Sequence, residues 1–201
     1  MALAIAATAS SAAADSEIAI GPPSAPSHPH TFELGLDAAQ ADARGAYVAM
    51  FGVGVGAALE LGRWALFGEI AGGGAIGGNG DQVTVGGVYG ATRLGARFHA
   101  TQVSMAGHTA GIALDLDAGI GGDAELLEHI PSFARPYAFV GWRTRIWTQR
   151  HRAMAFALRA AISPALDGPA AVALCRGACS PISEATPADF TIGLTFTRVW
   201  Q

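Results

Sequence analysis

Large apolar side chains recur at every second position in several stretches of this chain. Within residues 46–59 (AYVAMFGVGVGAAL), Phe51, Val53 and Val55 alternate with three glycines. A period of two is typical of a β-strand, and each glycine would weaken a helix by about 1 kcal/mol. No stretch reaches the ~18 uninterrupted apolar residues that a membrane-spanning helix needs. The pattern therefore predicts strands.

The same alternation predicts an all-β chain. Eight strands are expected, at 31–37, 46–61, 64–72, 86–99, 109–121, 136–147, 152–162 and 189–200. Most are about as long as the ~9–11 residues with which a tilted strand crosses a bilayer, and the first is shorter. The predicted fold is an antiparallel, up-and-down transmembrane β-barrel of eight strands within residues 31–201.

One face of each predicted strand is apolar, and the other carries glycine, alanine and nearly all of the charge. The charged exception on the apolar face is Arg198 in the last strand. The polar face carries Glu33, Asp37, Glu60, Glu69, Asp115, Asp117, Arg93, Arg97, Arg143, Arg145 and Arg159. His99 lies beside this set and is expected to be a packed interior polar residue.

Two arrangements fit this pattern. In a soluble barrel, about thirty large apolar residues would have to fit inside eight strands, whose interior is just wide enough to be filled by side chains. In a membrane barrel the apolar face meets lipid. If the polar face were turned outward instead, five arginines would lie in lipid, at a cost of ~2–4 kcal/mol each near mid-depth. The pattern favours a lipid-facing apolar surface. The alternative is a soluble periplasmic barrel or sandwich that binds an apolar ligand.

Charges of opposite sign fall on neighbouring strands. The third predicted strand brings Glu69, the fourth Arg93 and Arg97, and the fifth Asp115 and Asp117, followed by two arginines on the sixth. In an up-and-down meander these residues lie side by side on adjacent strands, and the two aspartates are expected to pair with Arg93 or Arg143. Because unpaired buried charge is costly, the interior is expected to be plugged. A passive pore is disfavoured.

The connections also differ in length. Tight turns are expected at 62–63 and 148–151, and long loops at 38–45, 73–85, 122–135 and 164–188. Short turns on one side and long loops on the other are typical of outer-membrane barrels, whose even strand number puts both ends on the short-turn side. The link 100–108 is longer than a tight turn and departs from this pattern.

Composition and the first thirty residues add to this picture. Only 14% of residues are charged and all 12 cationic residues are arginine, which argues against a disordered chain, a coiled coil and a nucleic-acid binder. Residues 1–14 (MALAIAATASSAAA) predict a signal peptide cleaved near Ala14. They lack a basic region, so an alanine-rich tail is the alternative. Residues 15–30 contain four prolines and predict a linker.

Few residues suggest chemistry. Cys175 and Cys179 are expected to form a loop-closing disulfide in an exported chain, with free thiols as the alternative, since a metal site would need further ligands. His129, with Ser132 and Glu128, is the only local arrangement that a lipid hydrolase could use. The glycine runs in 72–80 are not followed by the GK[ST] of a phosphate loop. No catalytic residue, metal or cofactor is therefore predicted.

The last predicted strand, DFTIGLTFTRVWQ, has a large apolar residue at every second position from Phe190 to Phe196, and again at Trp200. With the alternation before it, residues 31–201 resemble the small eight-stranded outer-membrane barrels of Gram-negative bacteria, the OmpA/OmpX-like type. Arg198 breaks the phase and Gln201 follows the aromatic residue, and here the chain departs from the family's pattern.

The resemblance implies an outer-membrane location and contact with outer-membrane lipid. It also implies that the barrel-assembly machinery recognises the last strand. Functions of the family range from structural anchoring to adhesion and, in a few members, lipid hydrolysis. The expected function here is a non-enzymatic structural or surface-recognition role, in which the long loops meet a surface ligand that the sequence does not identify.

Overall fold

The computed structural model describes residues 18–21, 29–43, 46–78, 84–105, 110–127, 133–149, 152–164 and 188–200. The strands are β1 (Ala19–Gly21), β2 (His30–Ala43), β3 (Ala46–Leu61), β4 (Trp64–Gly78), β5 (Thr84–Met105), β6 (Ala110–Leu127), β7 (Phe133–Gln149), β8 (Arg152–Pro164) and β9 (Ala188–Trp200). The described residues contain no helix that is long and apolar enough to cross a membrane.

Strands β2 to β9 form a closed antiparallel barrel. Each strand pairs with the next along the chain, and the circle closes where β2 pairs with β9. Within the closed barrel each of the eight strands is paired on both sides, so the wall satisfies its own backbone hydrogen bonds there, as lipid requires. The predicted eight-stranded up-and-down barrel is confirmed.

The apolar face of the barrel points outward. Phe32 and Val140 are each 63% exposed and Ile120 is 66% exposed, whereas Asp115 and Glu125 are fully buried in the interior. This arrangement is the one expected of a transmembrane barrel, with large apolar side chains toward lipid. The alternative of a soluble barrel around an apolar interior does not fit the structure.

The barrel has two unlike ends. At the turn end, where β2 begins and β9 ends, the links between strands are residues 62–63, 106–109 and 150–151. Gly62 has a φ of 73°, which glycine adopts without a Cβ clash, and this permits the two-residue β3–β4 turn. At the opposite, loop end, the links are 44–45, 79–83, 128–132 and 165–187.

Three of the four predicted long loops are therefore wrong. Most of 38–45 belongs to β2, and much of 73–85 and 122–135 belongs to the strands that flank them. Beyond the predicted ends of β2 and β4, most side chains on both faces are alanine, glycine or polar residues, which hides the period of two from a pattern based on large side chains. Residues 165–187, with Cys175 and Cys179, lie outside the described residues.

A short strand also lies within the segment predicted as a linker. Ala19–Gly21 forms β1 and pairs with Gln102–Ser104 of β5. β4 begins at Trp64, opposite Phe98, so β5 runs past it and presents an edge that β1 partly covers. The predicted signal peptide, 1–14, lies outside the described residues.

Aromatic rings inside the barrel lie over glycines of the adjacent strand. Phe67 of β4 is opposite Gly95 of β5, and Phe139 of β7 is opposite Gly119 of β6. A Cβ on Gly119 would come within 2.9 Å of the Phe139 ring, and a Cβ on Gly95 within 2.9 Å of the Phe67 ring. The small residues on the polar face therefore provide the space that the larger interior side chains occupy.

Candidate functional site in the charged interior

The inward face carries every charged residue that the sequence assigned to it. These residues are Glu33, Asp37, Glu60, Glu69, Arg93, Arg97, Asp115, Asp117, Arg143, Arg145 and Arg159. With Asp123, Glu125 and Arg135, the described interior holds eight carboxylates and six arginines. Because the wall is one strand thick, these side chains can contact each other across the lumen as well as along it.

Near the turn end, His99 lies between two carboxylates. Its Nδ1 is 2.8 Å from Asp115 Oδ1 and its Nε2 is 2.8 Å from Glu60 Oε2. An ionised carboxylate only accepts, so with Glu60 and Asp115 both ionised both ring nitrogens donate and the ring is an imidazolium. Asp115 also lies 3.3 Å from Arg145 Nε. This cluster joins β3, β5, β6 and β7.

In the middle of the barrel, Arg97 bridges two carboxylates from different strands. Its Nε is 2.9 Å from Asp117 Oδ1, and its Nη1 is 2.9 Å from Glu33 Oε1. Arg143 Nη2 lies 2.7 Å from the same Glu33 oxygen. The Arg97 guanidinium also stands 4.8 Å from the centre of the Phe67 ring, a cation–π distance. The cluster thus combines charge pairing with aromatic packing.

Arg159 connects opposite sides of the barrel. Its Nη1 and Nη2 each lie 2.7 Å from an oxygen of Glu69, so the pair is bidentate. Arg159 belongs to β8 and Glu69 to β4, which are four strands apart in the closed circle. Nη2 is also 3.2 Å from Asp117 Oδ2. This geometry is the strongest form of an arginine–carboxylate contact.

Toward the loop end, Arg93 pairs with Asp37. Nη1 and Nη2 lie 2.9 and 3.0 Å from its two oxygens, and the hydroxyls of Tyr89 and Thr195 donate to the same carboxylate at 3.2 Å. Of the two partners expected for the aspartates of the fifth predicted strand, Arg143 lies 3.5 Å from Asp115 Oδ2, whereas Arg93 pairs with Asp37 instead. The long arginine side chain crosses the lumen to β2, a contact that adjacency along the sequence does not predict.

A further charge cluster lies at the loop end and was not predicted from the sequence. Arg135 Nε and Nη2 lie 3.0 and 2.9 Å from the oxygens of Asp123, and Nη2 lies 2.7 Å from Glu125. Asp123 and Glu125 continue the period of two from Asp115 and Asp117. The fifth predicted strand stopped at Gly121 and the sixth began at Pro136, which excluded these residues. A longer window of alternation would have included them.

The described interior contains paired charges and no evident catalytic group. Both ring nitrogens of His99 are taken by carboxylates, so it cannot act as a base for a serine. Within the described ranges, no cluster of three or more His, Cys, Asp or Glu residues could hold a metal ion. His129, Ser132 and Glu128, the arrangement considered for hydrolysis, lie outside the described residues.

Comparison with known proteins supports the fold. No protein-family model and no curated protein sequence matches the chain. The structure is similar to Neisserial surface protein A, with 7% identity, a TM-score of 0.51 and coverage of 86% of this chain and 97% of that one. This likeness shows the fold of the small eight-stranded outer-membrane barrels.

Two further solved structures are similar over comparable lengths. The attachment invasion locus protein of Yersinia pestis, in complex with a heparin analogue, matches with 10% identity and a TM-score of 0.45, covering 85% of this chain and 96% of that one. The N-terminal β-barrel domain of Pseudomonas aeruginosa OprF matches with 11% identity and a TM-score of 0.41, covering 84% and 97%.

Proposed function

We propose that this chain is a non-enzymatic outer-membrane β-barrel protein of a Gram-negative bacterium, with a structural or surface-recognition role and a closed interior. The observation that carries the proposal is the combination of an apolar outer wall with an interior of paired arginines and carboxylates. Membrane barrels have this arrangement of polar interior and apolar exterior.

The closed interior is supported by ion pairs that span the lumen. Arg159 and Glu69 join strands on opposite sides of the circle, and Arg97 of β5 reaches Glu33 of β2. Two interior cavities have volumes of about 20 and 10 Å³, and a single water needs roughly 10–15 Å³ on this scale. An ion would need a wider and continuous path, so the protein is not expected to conduct.

The recognition role is assigned to the loop end, and the proposal includes two further partners. The longest link between strands, 165–187, follows β8 at this end. Cys175 and Cys179 fall within it and would close a small loop by a disulfide. The surface ligand would bind this segment. The barrel-assembly machinery would recognise β9, and outer-membrane lipid would cover the apolar wall.

A fractionation experiment tests the membrane location. Washed membranes are run on a gel with and without boiling. We expect the protein in the membrane pellet and a mobility shift on boiling, because a closed membrane barrel resists detergent until heated. Recovery in the soluble fraction with no shift would overturn the location.

A conductance measurement tests the closed interior. The purified barrel is inserted in a planar lipid bilayer, and Arg97→Ala/Arg159→Ala, which removes two lumen-spanning arginines, is the comparison. We expect no steady current from the unmodified chain, and more frequent openings from the variant. A steady, large conductance of the unmodified chain would show an open pore and contradict the proposal.

A further inference from the structure

Exposed charge is confined to the turn end of the outer wall. Among the described side chains, Arg63 and Arg198 are the only charged ones that are exposed. Arg63 lies in the β3–β4 turn, and Arg198 lies two residues before the end of β9. Elsewhere the described outer wall exposes apolar and small side chains and the uncharged amide of Gln40, so the charge of these two arginines requires an explanation.

Arg198 lies among apolar residues that face lipid. The register places it opposite Leu34 of β2 and Met154 of β8, which are 51% and 53% exposed. Its Cζ is 5.5 Å from the centre of the Trp200 ring, so the side chain extends toward the turn end. An arginine on the lipid face costs ~2–4 kcal/mol at the bilayer midplane and ~0–1 near the interface, and extending toward the interface avoids most of that cost.

The two exposed arginines differ in their partners. Arg63 Nη2 donates to the Ala100 carbonyl at 3.5 Å, and Arg63 Cζ lies 4.9 Å from the Phe98 ring. Arg198 has the contact with Trp200 and no carboxylate within 4.0 Å in the described part of the wall. Arg198 therefore presents a guanidinium whose donors face the lipid–water interface.

We propose that Arg198 and Trp200 form a binding site for the headgroup of an anionic phospholipid in the leaflet at the turn end. The phosphate would accept hydrogen bonds from the Arg198 guanidinium, and Trp200 would lie at headgroup level, as aromatic residues of membrane barrels do. The acyl chains would lie along Leu34 and Met154. This inference rests on the proposed membrane location.

The absence of exposed acidic groups favours an anionic lipid over a zwitterionic one. No exposed carboxylate occurs among the described side chains of the wall. The ammonium group of a zwitterionic headgroup would therefore find no partner beside Arg198, whereas an anionic headgroup offers only charge that the guanidinium attracts. An arginine near the surface is worth roughly a fivefold enrichment of anionic lipid.

Lipid quenching of Trp200 fluorescence tests the site. Trp64, Trp142 and Trp147 are replaced by phenylalanine, and the barrel is refolded into phosphatidylcholine vesicles with a small fraction of brominated lipid. We expect brominated phosphatidylglycerol to quench Trp200 more than brominated phosphatidylcholine does, with a local enrichment of about fivefold. In Arg198→Gln the two lipids should quench equally, and Arg63→Gln should keep the preference.

The outcomes separate the site from the membrane location. If the barrel shows the heat-dependent gel shift but both lipids quench equally, the lipid site alone is overturned. A preference for phosphatidylglycerol that survives in Arg198→Gln would also overturn the lipid site. A chain that neither shifts on heating nor is quenched by either lipid overturns the membrane location as well. Native mass spectrometry in mixed-lipid micelles counts the phosphatidylglycerol molecules that the unmodified chain, Arg198→Gln and Arg63→Gln retain. This measurement leaves the tryptophans in place.

Discussion

Replacing Arg97 by methionine tests whether ion pairs stabilise the interior. Arg97 is 1% exposed and contacts Asp117 and Glu33, each at 2.9 Å. Methionine retains most of the apolar length of the side chain and removes its charge and donors. Two buried carboxylates therefore lose a partner in one substitution.

The expected loss of stability follows from the remaining contacts. Removing one partner of a buried ion pair costs about 3–5 kcal/mol. Glu33 keeps Arg143 at 2.7 Å, and Asp117 keeps Arg159 at 3.2 Å. We therefore expect the lower end of the range, ~3 kcal/mol, which is about a 100-fold change in the folding equilibrium.

Urea titration of the barrel in phosphatidylcholine vesicles measures this change, with tryptophan fluorescence and gel mobility as the two readouts. Arg63→Met is the matched control, because Arg63 is exposed and also lies over an aromatic ring, at 4.9 Å from Phe98. An exposed arginine contributes about 1 kcal/mol or less. Equal losses in the two variants would refute the argument, since they would mean that water screens the interior charges.

Three further substitutions or measurements test individual contacts. Asp115→Asn should lower the free energy of unfolding by about 2–3 kcal/mol, because a buried carboxylate that His99 and two arginines contact loses its charge; an unchanged urea midpoint would contradict the pairing. Gly119→Ala should cost about 1–3 kcal/mol, because its Cβ would meet the Leu94 carbonyl oxygen and the Gly95 Cα of the β5 backbone as well as the Phe139 ring, whereas Gly90→Ala meets nothing within 4 Å and should be neutral in the same titration. Nitrogen NMR should show the His99 ring doubly protonated at neutral pH, and the signature of a neutral ring would contradict an imidazolium between two ionised carboxylates.

The fold could be predicted because large apolar and charged residues alternate strongly in several segments. In 109–121 and 189–200 one face holds nearly all of the large side chains, and a period of two then determines both the strand and its orientation. Where both faces are small, as in Ala38–Ala43 of β2, the same rule carries no information and the predicted strand ended too early. The three-residue strand β1 is too short for any period.

The ion pairs could be predicted only where partners lie on adjacent strands. Arg97 and Asp117 are directly opposite in the register of β5 and β6, and neighbouring opposite charges in a meander suggest such a pair. Arg93 and Asp37 are separated by 56 positions and meet across the lumen. That contact depends on barrel closure and on side-chain length, neither of which a strand-by-strand pattern contains.

The interior charges also restrict the strand register, which the apolar wall leaves open. A slip of two residues between neighbouring strands keeps every apolar side chain on the lipid face, so the hydrophobic pattern alone does not determine the register. The register observed here sets Glu69 opposite Arg93, Asp115 opposite Arg143 and Asp123 opposite Arg135. Between β4 and β5 a slip of two in either direction would set Glu69 opposite Ala91 or Gly95 and away from Arg93. Between β6 and β7 only one direction separates the charges, because a slip in the other would set Asp115 opposite Arg145 and Asp117 opposite Arg143. A buried carboxylate left without an arginine would cost several kcal/mol. Lipid therefore selects which face points outward, and the buried ion pairs disfavour those slips that separate them.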